Sequence, residues 1–358
     1  MAIGVSGGKD SSAVAFAVSA HLREIGHRGS LVLVHADLGR IEWRQSLLTC
    51  QRLAERLGLE LLVVRRSAGD LLTRWHQRWN NNVRRYGDLE CVKLILPWST
   101  ASMRFCTSEL KTRVIQRELV KRFAGQTLLS VTGVRREESV ARSTVQTVVR
   151  QPLFSSATHL TAGFDWHPIA HWNRSDVFDY LARQGFELHD AYRLYGSSRV
   201  SCAFCILAAR QDLYAAVRCP DNHDIYRALV ALEVDSTFSF QERQWLCDVA
   251  PHLLEESVWR RALDAKAQAA RRESAERTIP KGLLYERGWP TRVPTVAEAD
   301  LLAGIRAEVA SAVGIPIRYS CADSIRARYA ELLAWKQKKG TTNHEPAMEE
   351  RPGLLSSA

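Results

Sequence analysis

The sequence predicts an α/β protein: a doubly wound, mostly parallel sheet with a helical C-terminal part. Three observations carry this prediction. Short apolar runs alternate with helical spacing through the first half of the chain. The chain opens on a strand, a glycine-rich turn and a helix, and beyond Cys205 the pattern is mainly helical. Strands that alternate with helices pair in parallel, and ligands then collect outside their carboxyl ends.

Residues 2–5 read as a short buried strand cut off by a turn, and residues 12–22 carry helical spacing. The strand is short for the centre of a sheet, so a frayed or unpaired first strand would mark residues missing upstream. Residues 30–35 and 59–64 are further buried strands, with a helix over 42–57 between them, and 127–133 is a later strand ending in Gly133. The opening turn, residues 37–39 and residues 133–136 all fall at strand ends and are expected to converge on one site. Residues 67–105 carry little strand signal, and Trp75, Trp79 and Trp98 are interspersed there with Arg74, Arg78, Arg84 and Arg85. This segment reads as an insertion over the strand ends. Each tryptophan fits the buried side of an ordinary amphipathic helix, and the arginines fit a substrate clamp. Helices are then predicted over 207–217, 224–233, 239–249, 255–276 and 296–313, with proline joints near Pro280 and Pro290. The implied organisation is an α/β domain over 1–210, a helical region over 211–336 and a disordered polar tail over 337–358.

The chain has 358 residues, enough for a sizeable core, and no run of eighteen apolar residues or secretory signal is visible. A cytoplasmic protein is expected, in which eight cysteines are reduced, metal-binding or catalytic rather than paired. A net charge of +10 favours a polyanionic partner, either nucleic acid or a phosphorylated nucleotide.

In Ser6-Gly-Gly-Lys-Asp-Ser11, followed by Ser12, the glycines let backbone approach a phosphate and the serines offer hydroxyls. Lys9 supplies a point charge, and Asp10 is suited to holding Mg²⁺ or a hydroxyl. The spacing is not that of a Walker A loop. Two serines, two glycines and a charge pair are more than a tight turn needs.

This loop resembles the pyrophosphatase (PP) loop of the adenine nucleotide alpha hydrolases. Arg104-Phe-Cys-Thr-Ser-Glu-Leu-Lys111, Gly133-Val-Arg-Arg-Glu-Glu-Ser139 with Arg142, Trp166-His-Pro-Ile-Ala-His-Trp172 with Asp176, and the segment from Tyr192 to Cys205 narrow the likeness. Together they resemble the phosphoadenosine phosphosulfate reductase family over about residues 1 to 210. The resemblance implies an adenine nucleotide on the strand ends, ATP or phosphoadenylyl sulfate, with Ser6, Gly7, Gly8, Lys9, Asp10, Ser11 and Ser12 around its phosphates. It places Asp37 near the adenosine, Gly133 at the close of its strand, and Lys111, Arg135 and Arg142 on phosphate or sulfate oxygens. Lys9, Asp10, Cys106 and Arg135 are the implied catalytic groups.

Cys202-Ala-Phe-Cys205 fits zinc, a redox pair or an iron–sulfur cluster. By resemblance, Cys106, Cys202 and Cys205 are ligands of a [4Fe–4S] cluster, with Cys91 as a candidate fourth. Structural zinc closed by His167 or His171 is the alternative. Cys50, Cys219, Cys247 and Cys321 read as buried, inert thiols. The family's reductases attack with a cysteine near the C-terminus, whereas here the residues from 337 on hold none. No Cys-Cys pair stands at Cys106, where Phe105 precedes it. The pattern is closer to members that put sulfur into nucleic acid, such as the DNA phosphorothioation sulfurtransferases. That likeness implies ATP-dependent activation of an oxygen, Mg²⁺ on the phosphates, a nucleic-acid substrate and a cysteine desulfurase as sulfur donor. A thioredoxin-coupled sulfonucleotide reductase and a non-catalytic nucleotide-binding module of a larger complex remain the alternatives.

Overall fold

Strands β1 (Ala2–Gly4), β2 (Val32–Asp37), β3 (Glu60–Arg65), β4 (Thr127–Val131), β5 (Val148–Arg150) and β6 (Ala162–Trp166) form one sheet in the order β3-β2-β1-β4-β6-β5. All neighbours are parallel except β5, which runs antiparallel to β6 at the edge. The mostly parallel, doubly wound sheet expected from the alternation is therefore present. The order reverses between β1 and β4, which makes their carboxyl ends the switch point where such folds bind ligands. Short as it is, β1 is paired on both sides, Ile3 lying opposite Leu33 and Val131.

This computed structural model describes residues 1–156, 158–242 and 244–341. It divides into two compact units, Met1–Arg74 with Ser99–Ala228, and Trp75–Trp98 with the residues from Leu229 on. Helices α1 (Lys9–Glu24), α2 (Gln45–Leu57), α3 (Leu71–Gly87), α4 (Phe105–Thr107), α5 (Arg113–Arg122), α6 (Arg174–Arg183), α7 (Asp190–Arg193) and α8 (Arg210–Val217) lie in or begin in the first unit. Residues of α1, α2 and α6 pack on one sheet face with Ile3, Leu33 and Val131. Leu119 and Val120 of α5 pack on the other face with Ala2, Val32, Val34 and Leu128. Alternate residues of one strand thus serve opposite layers, as the two-residue period of a buried strand requires.

Helix α9 (His223–Ser236) leads into the second unit, which holds α10 (Glu256–Arg277), α11 (Val296–Val313) and α12 (Ala322–Thr341). Thr295 and Glu298 close α11 with a capping box, and Gly314 ends it at φ 73°. Helix α12 continues through Thr341, past the expected start of the polar tail at residue 337; residues 342–358 of that tail lie outside the described residues. No helix among the described residues is long and apolar enough to cross a membrane.

Two expectations need correction. The described residues of 239–249 form no helix: they hold an isolated bridge between Gln241 and Gln244 and a 3₁₀ turn at Leu246–Asp248. The reason is Glu233, fully buried in α9, whose carboxylate accepts the backbone N–H groups of Phe240 (2.7 Å), Leu246 (2.7 Å) and Cys247 (3.0 Å). Donors aimed at one carboxylate are not free to form a helical ladder. The arginines of the 67–105 segment do not form a clamp either. Arg74 pairs with Glu109 at 2.7 Å, Arg78 donates to the carbonyl of Leu96 at 3.0 Å, and Arg84 pairs with Asp88 and Glu90. Arg85 donates to the carbonyl of Glu90 at 3.4 Å, so Arg78 and Arg85 serve carbonyls of the irregular stretch after α3, while Arg74 and Arg84 are held by carboxylates. Trp75 and Trp79 are buried on α3 as expected, whereas Trp98 is buried in the irregular stretch after it; Trp75 and Trp98 lie edge to face 5.3 Å apart, with Phe240 against both.

Glu233→Ala leaves three buried N–H groups without an acceptor. It is expected to cost the second unit about 3–5 kcal/mol, read as a lower denaturant midpoint with the secondary structure of the first unit retained.

Candidate functional site

The chain leaves β1 through Val5, whose N–H donates to the carbonyl of Val34 at 2.8 Å, and turns at once into α1. Gly7 makes the turn at φ 72°, and a Cβ there would lie 3.0 Å from the carbonyl oxygen of Ser46. The Ser6 N–H donates to Ser11 Oγ at 3.2 Å. The hydroxyls of Ser11 and Ser12 donate to the carbonyl of Gly8 at 2.9 and 3.1 Å. Tyr192 braces the loop from outside, its hydroxyl oxygen accepting the N–H groups of Lys9 (3.2 Å) and Val200 (3.0 Å). The sequence quotes Tyr192 within a motif but gives its role no signal.

His189 walls the other side. Its Nδ1 accepts the Ala191 N–H at 2.9 Å, so its proton sits on Nε2 and points at Ser46 Oγ, 3.3 Å away. Burial pushes this imidazole down to about 4.

Asp10 joins the loop to β4. One carboxylate oxygen is 2.6 Å from Lys9 Nζ and the other 2.7 Å from Arg135 Nε. Each oxygen thus meets one cation, and the carboxylate ties Lys9 to Arg135. Gly133 makes this approach sterically possible, since a Cβ there would lie 2.6 Å from the backbone oxygen of Asp10. Burial lowers the Lys9 ammonium from its ordinary value, against the pull of Asp10.

Positive charge is in surplus here. Arg135 is buried, and its Nη1 makes no hydrogen bond, with Glu137 3.5 Å away. Arg142 pairs with Glu138. Its guanidinium is held below its usual range by burial first and then by Arg104, Arg199 and Arg135. Like charges gathered at a partly buried site are costly without an anion among them, which suits phosphate or sulfate oxygens. Arg104 and Arg199 were not assigned from sequence, although each precedes a cysteine of interest by two or three residues.

A cavity of about 370 Å³ opens beside the loop at the carboxyl ends of β1, β2, β4 and β6. Ser6, His35, Glu42, Lys111, Thr132 and Asp165 are among its walls, and its size lies within the range of small-molecule sites. Ala36 lines it, whereas Asp37 does not. The Asp37 carboxylate instead accepts the Gly39 N–H at 2.7 Å and pairs with Arg65 at 2.6 Å. The opening turn and the 133–136 segment therefore converge as expected, and Asp37 holds its own turn at the margin.

Cys202 forms an antiparallel bridge with Glu42, and the Ala203 N–H donates to the carbonyl of Ile41 at 2.8 Å. This fixes the C-x-x-C segment to the cavity rim. Burial raises the Cys202 thiol far above its ordinary value. Lys111 opposes that rise, while Cys205, Glu42 and Cys106 add to it, so all four share its surroundings. Cys91, the candidate fourth ligand, belongs to the second unit, where its thiol donates to Asn82 Oδ1 and burial pushes it up to about 11. Cys50, Cys219 and Cys247 are buried as expected, whereas Cys321, expected to be buried, is exposed, because it sits just before the start of α12 with its thiol on Ser324 Oγ at 3.3 Å.

Of the proposed zinc-closing histidines, His167 Nδ1 lies 2.8 Å from Thr132 Oγ1, and His171 Nδ1 accepts from Arg136 at 3.0 Å. Among the described residues no three His, Cys, Asp or Glu side chains converge as a metal site.

Gly133→Ala forces β4 away from α1. It is expected to cost about 2–3 kcal/mol in stability and to weaken adenine-nucleotide binding at least tenfold, read by calorimetry. His189 makes the first unit acid-sensitive. Its folded value of about 4 lies below the ordinary 6.5, so its contribution is complete above about 6.5 and is lost as the pH falls toward 4. Denaturation midpoints taken across that range test this, and His189→Gln is expected to flatten the profile.

Comparison with known proteins completes the description. No curated protein matches the sequence closely enough to count as a relative. A crystal structure of phosphoadenylyl-sulfate (PAPS) reductase from Candida auris, as its phosphate complex, is similar over 56% of this chain and 79% of that one, with 11% identity and a TM-score of 0.35. The family model for the phosphoadenosine phosphosulfate reductase domain matches residues 1–208. Since that match spans more than half of the 358 residues, and includes the loop, the arginines and the C-x-x-C segment, the chain belongs to the phosphoadenosine phosphosulfate reductase family of PP-loop enzymes.

Proposed function

We propose that this protein is an adenine-nucleotide-dependent sulfurtransferase that acts on nucleic acid. The observation that carries the reading is the bridge between Cys202 and Glu42, which sets C-x-x-C on the rim of the nucleotide cavity with Cys106 and Lys111 in its surroundings. A nucleotide in the cavity would direct its phosphates to the loop of residues 6–12 and the arginines, leaving the thiols beside the reacting end. In this reading an acceptor oxygen attacks the α-phosphorus of ATP and pyrophosphate leaves. The terminal sulfur of a cysteine persulfide then displaces AMP. A second thiol releases the product by forming a disulfide, which an external dithiol reduces. Mg²⁺ would travel on the nucleotide's own phosphates, since Asp10 is engaged by Lys9 and Arg135. The persulfide sulfur would come from a cysteine desulfurase. Most of the positive charge excess lies in the first unit, which supports a nucleic-acid substrate.

Membership of the reductase family supports a second reading, reductive release of sulfite from a sulfonucleotide with thioredoxin as the electron source. The same arginines suit its sulfate.

Full-length protein, prepared anaerobically, is incubated with ATP, Mg²⁺ and DNA or RNA, or with phosphoadenylyl sulfate and reduced thioredoxin. Pyrophosphate release together with AMP release is the expected result, with Cys202→Ser lowering AMP release at least about a hundredfold while a first turnover of pyrophosphate is retained. Sulfite from phosphoadenylyl sulfate would replace the first reading with the second. Neither product would leave a nucleotide-binding module. Iron content with visible absorption in the same preparation would mean that the thiols close on a cluster when it is supplied, and stoichiometric zinc would mean a structural site.

A further inference from the structure

His35 is a polar residue in the otherwise apolar strand β2, and it is 1% exposed. Its Nδ1 lies 3.1 Å from the carbonyl oxygen of Val5, the last residue before the phosphate loop. A carbonyl only accepts, so Nδ1 carries a hydrogen. Nε2 lies 3.2 Å from Glu42 Oε2, and Cys50 Sγ is 3.8 Å from Nδ1. Glu42 follows a 3₁₀ turn (Gly39–Ile41), and its side chain is largely buried. Its backbone bridges Cys202. One imidazole therefore contacts both the entrance of the phosphate loop and the residue laddered to the first cysteine of C-x-x-C. A hydrogen-bonded, buried ion pair of this kind resists displacement, because removing one partner strands the other charge.

We propose that the His35–Glu42 pair is a positioning device, which holds the Cys202–Cys205 segment in register with the phosphate loop through Val5. The proposal rests on the reading that these cysteines serve the nucleotide site. Without the pair, the bridge at Cys202 has no side-chain anchor on β2, and the segment opens locally while the sheet stays intact. His35 and Glu42 thus act through the thiol and the loop, with no share in the bond-making step.

The test is alkylation of Cys202 by iodoacetamide in the full-length protein, read by peptide mass spectrometry against exposed Cys321 as the internal reference. Glu42→Ala is expected to raise the Cys202-to-Cys321 rate ratio about tenfold, and Glu42→Gln, which keeps an acceptor for His35, to leave it within about twofold. Buried Cys50, Cys219 and Cys247 should stay protected in both. Should Glu42→Ala fail to fold, His35→Gln decides in its place, with the same rise expected. An unchanged ratio in the folded variants overturns the proposal, as does an equal rise at all the buried cysteines, which would mean general loosening. ATP affinity is measured separately by calorimetry. A wild-type protein that binds no ATP would overturn the functional reading, while the alkylation ratio still decides the register.

Discussion

Asp10 sits between Lys9 and Arg135, and this shared carboxylate joins parts of the chain that are remote in sequence. It couples the start of α1, at the exit of the central strand, to the segment that follows β4. The contact depends on Gly133 lacking a side chain, because only bare backbone fits against the Asp10 carbonyl. Once the two strand ends are drawn together, the remaining pieces have fixed places. Arg142 comes in with the turn after Arg135, the cavity opens between the same strand ends, and Tyr192 closes the loop from the far side.

A positive surplus held this way has an energetic meaning. Two cations on one carboxylate, with further guanidinium groups near Arg142, form a site poised for an anion rather than neutral at rest. Burial raises the Cys202 thiol above its ordinary value, and Lys111 opposes that rise.

Much of this was legible in the sequence. Strands β1 to β4 follow from apolar runs, α11 begins and ends where its capping residues and glycine indicate, and the glycine–serine loop reads directly as a phosphate cradle. What was not legible has a common cause, a side chain whose partner is distant in sequence. Glu233 takes the donors that would otherwise continue a helix over 239–249, and no local pattern announces this. Arg78 and Arg84 look like a ligand clamp until the irregular stretch after α3 is seen to need their donors. Cys91 lies close to Cys106 in the chain, yet its environment belongs to the other unit. His35 carried the reverse signal, since a histidine inside a buried apolar strand always needs a partner, and here Val5 and Glu42 provide it.

The placing of β1 has a consequence for how the protein is made. Ala2 and Ile3 pair with Val32 and Leu33 nearby, but also with Ser130 and Val131, which follow only after three strands and several helices have been synthesised. The phosphate cradle therefore exists early as a half-formed edge, and its other wall arrives with β4. Long-range parallel pairings of this sort slow folding and leave an open strand edge exposed in the meantime. A nucleotide that binds the finished cradle and not the half-formed one would pull this last closure forward by mass action, so that the ligand acts as a folding partner as well as a reactant.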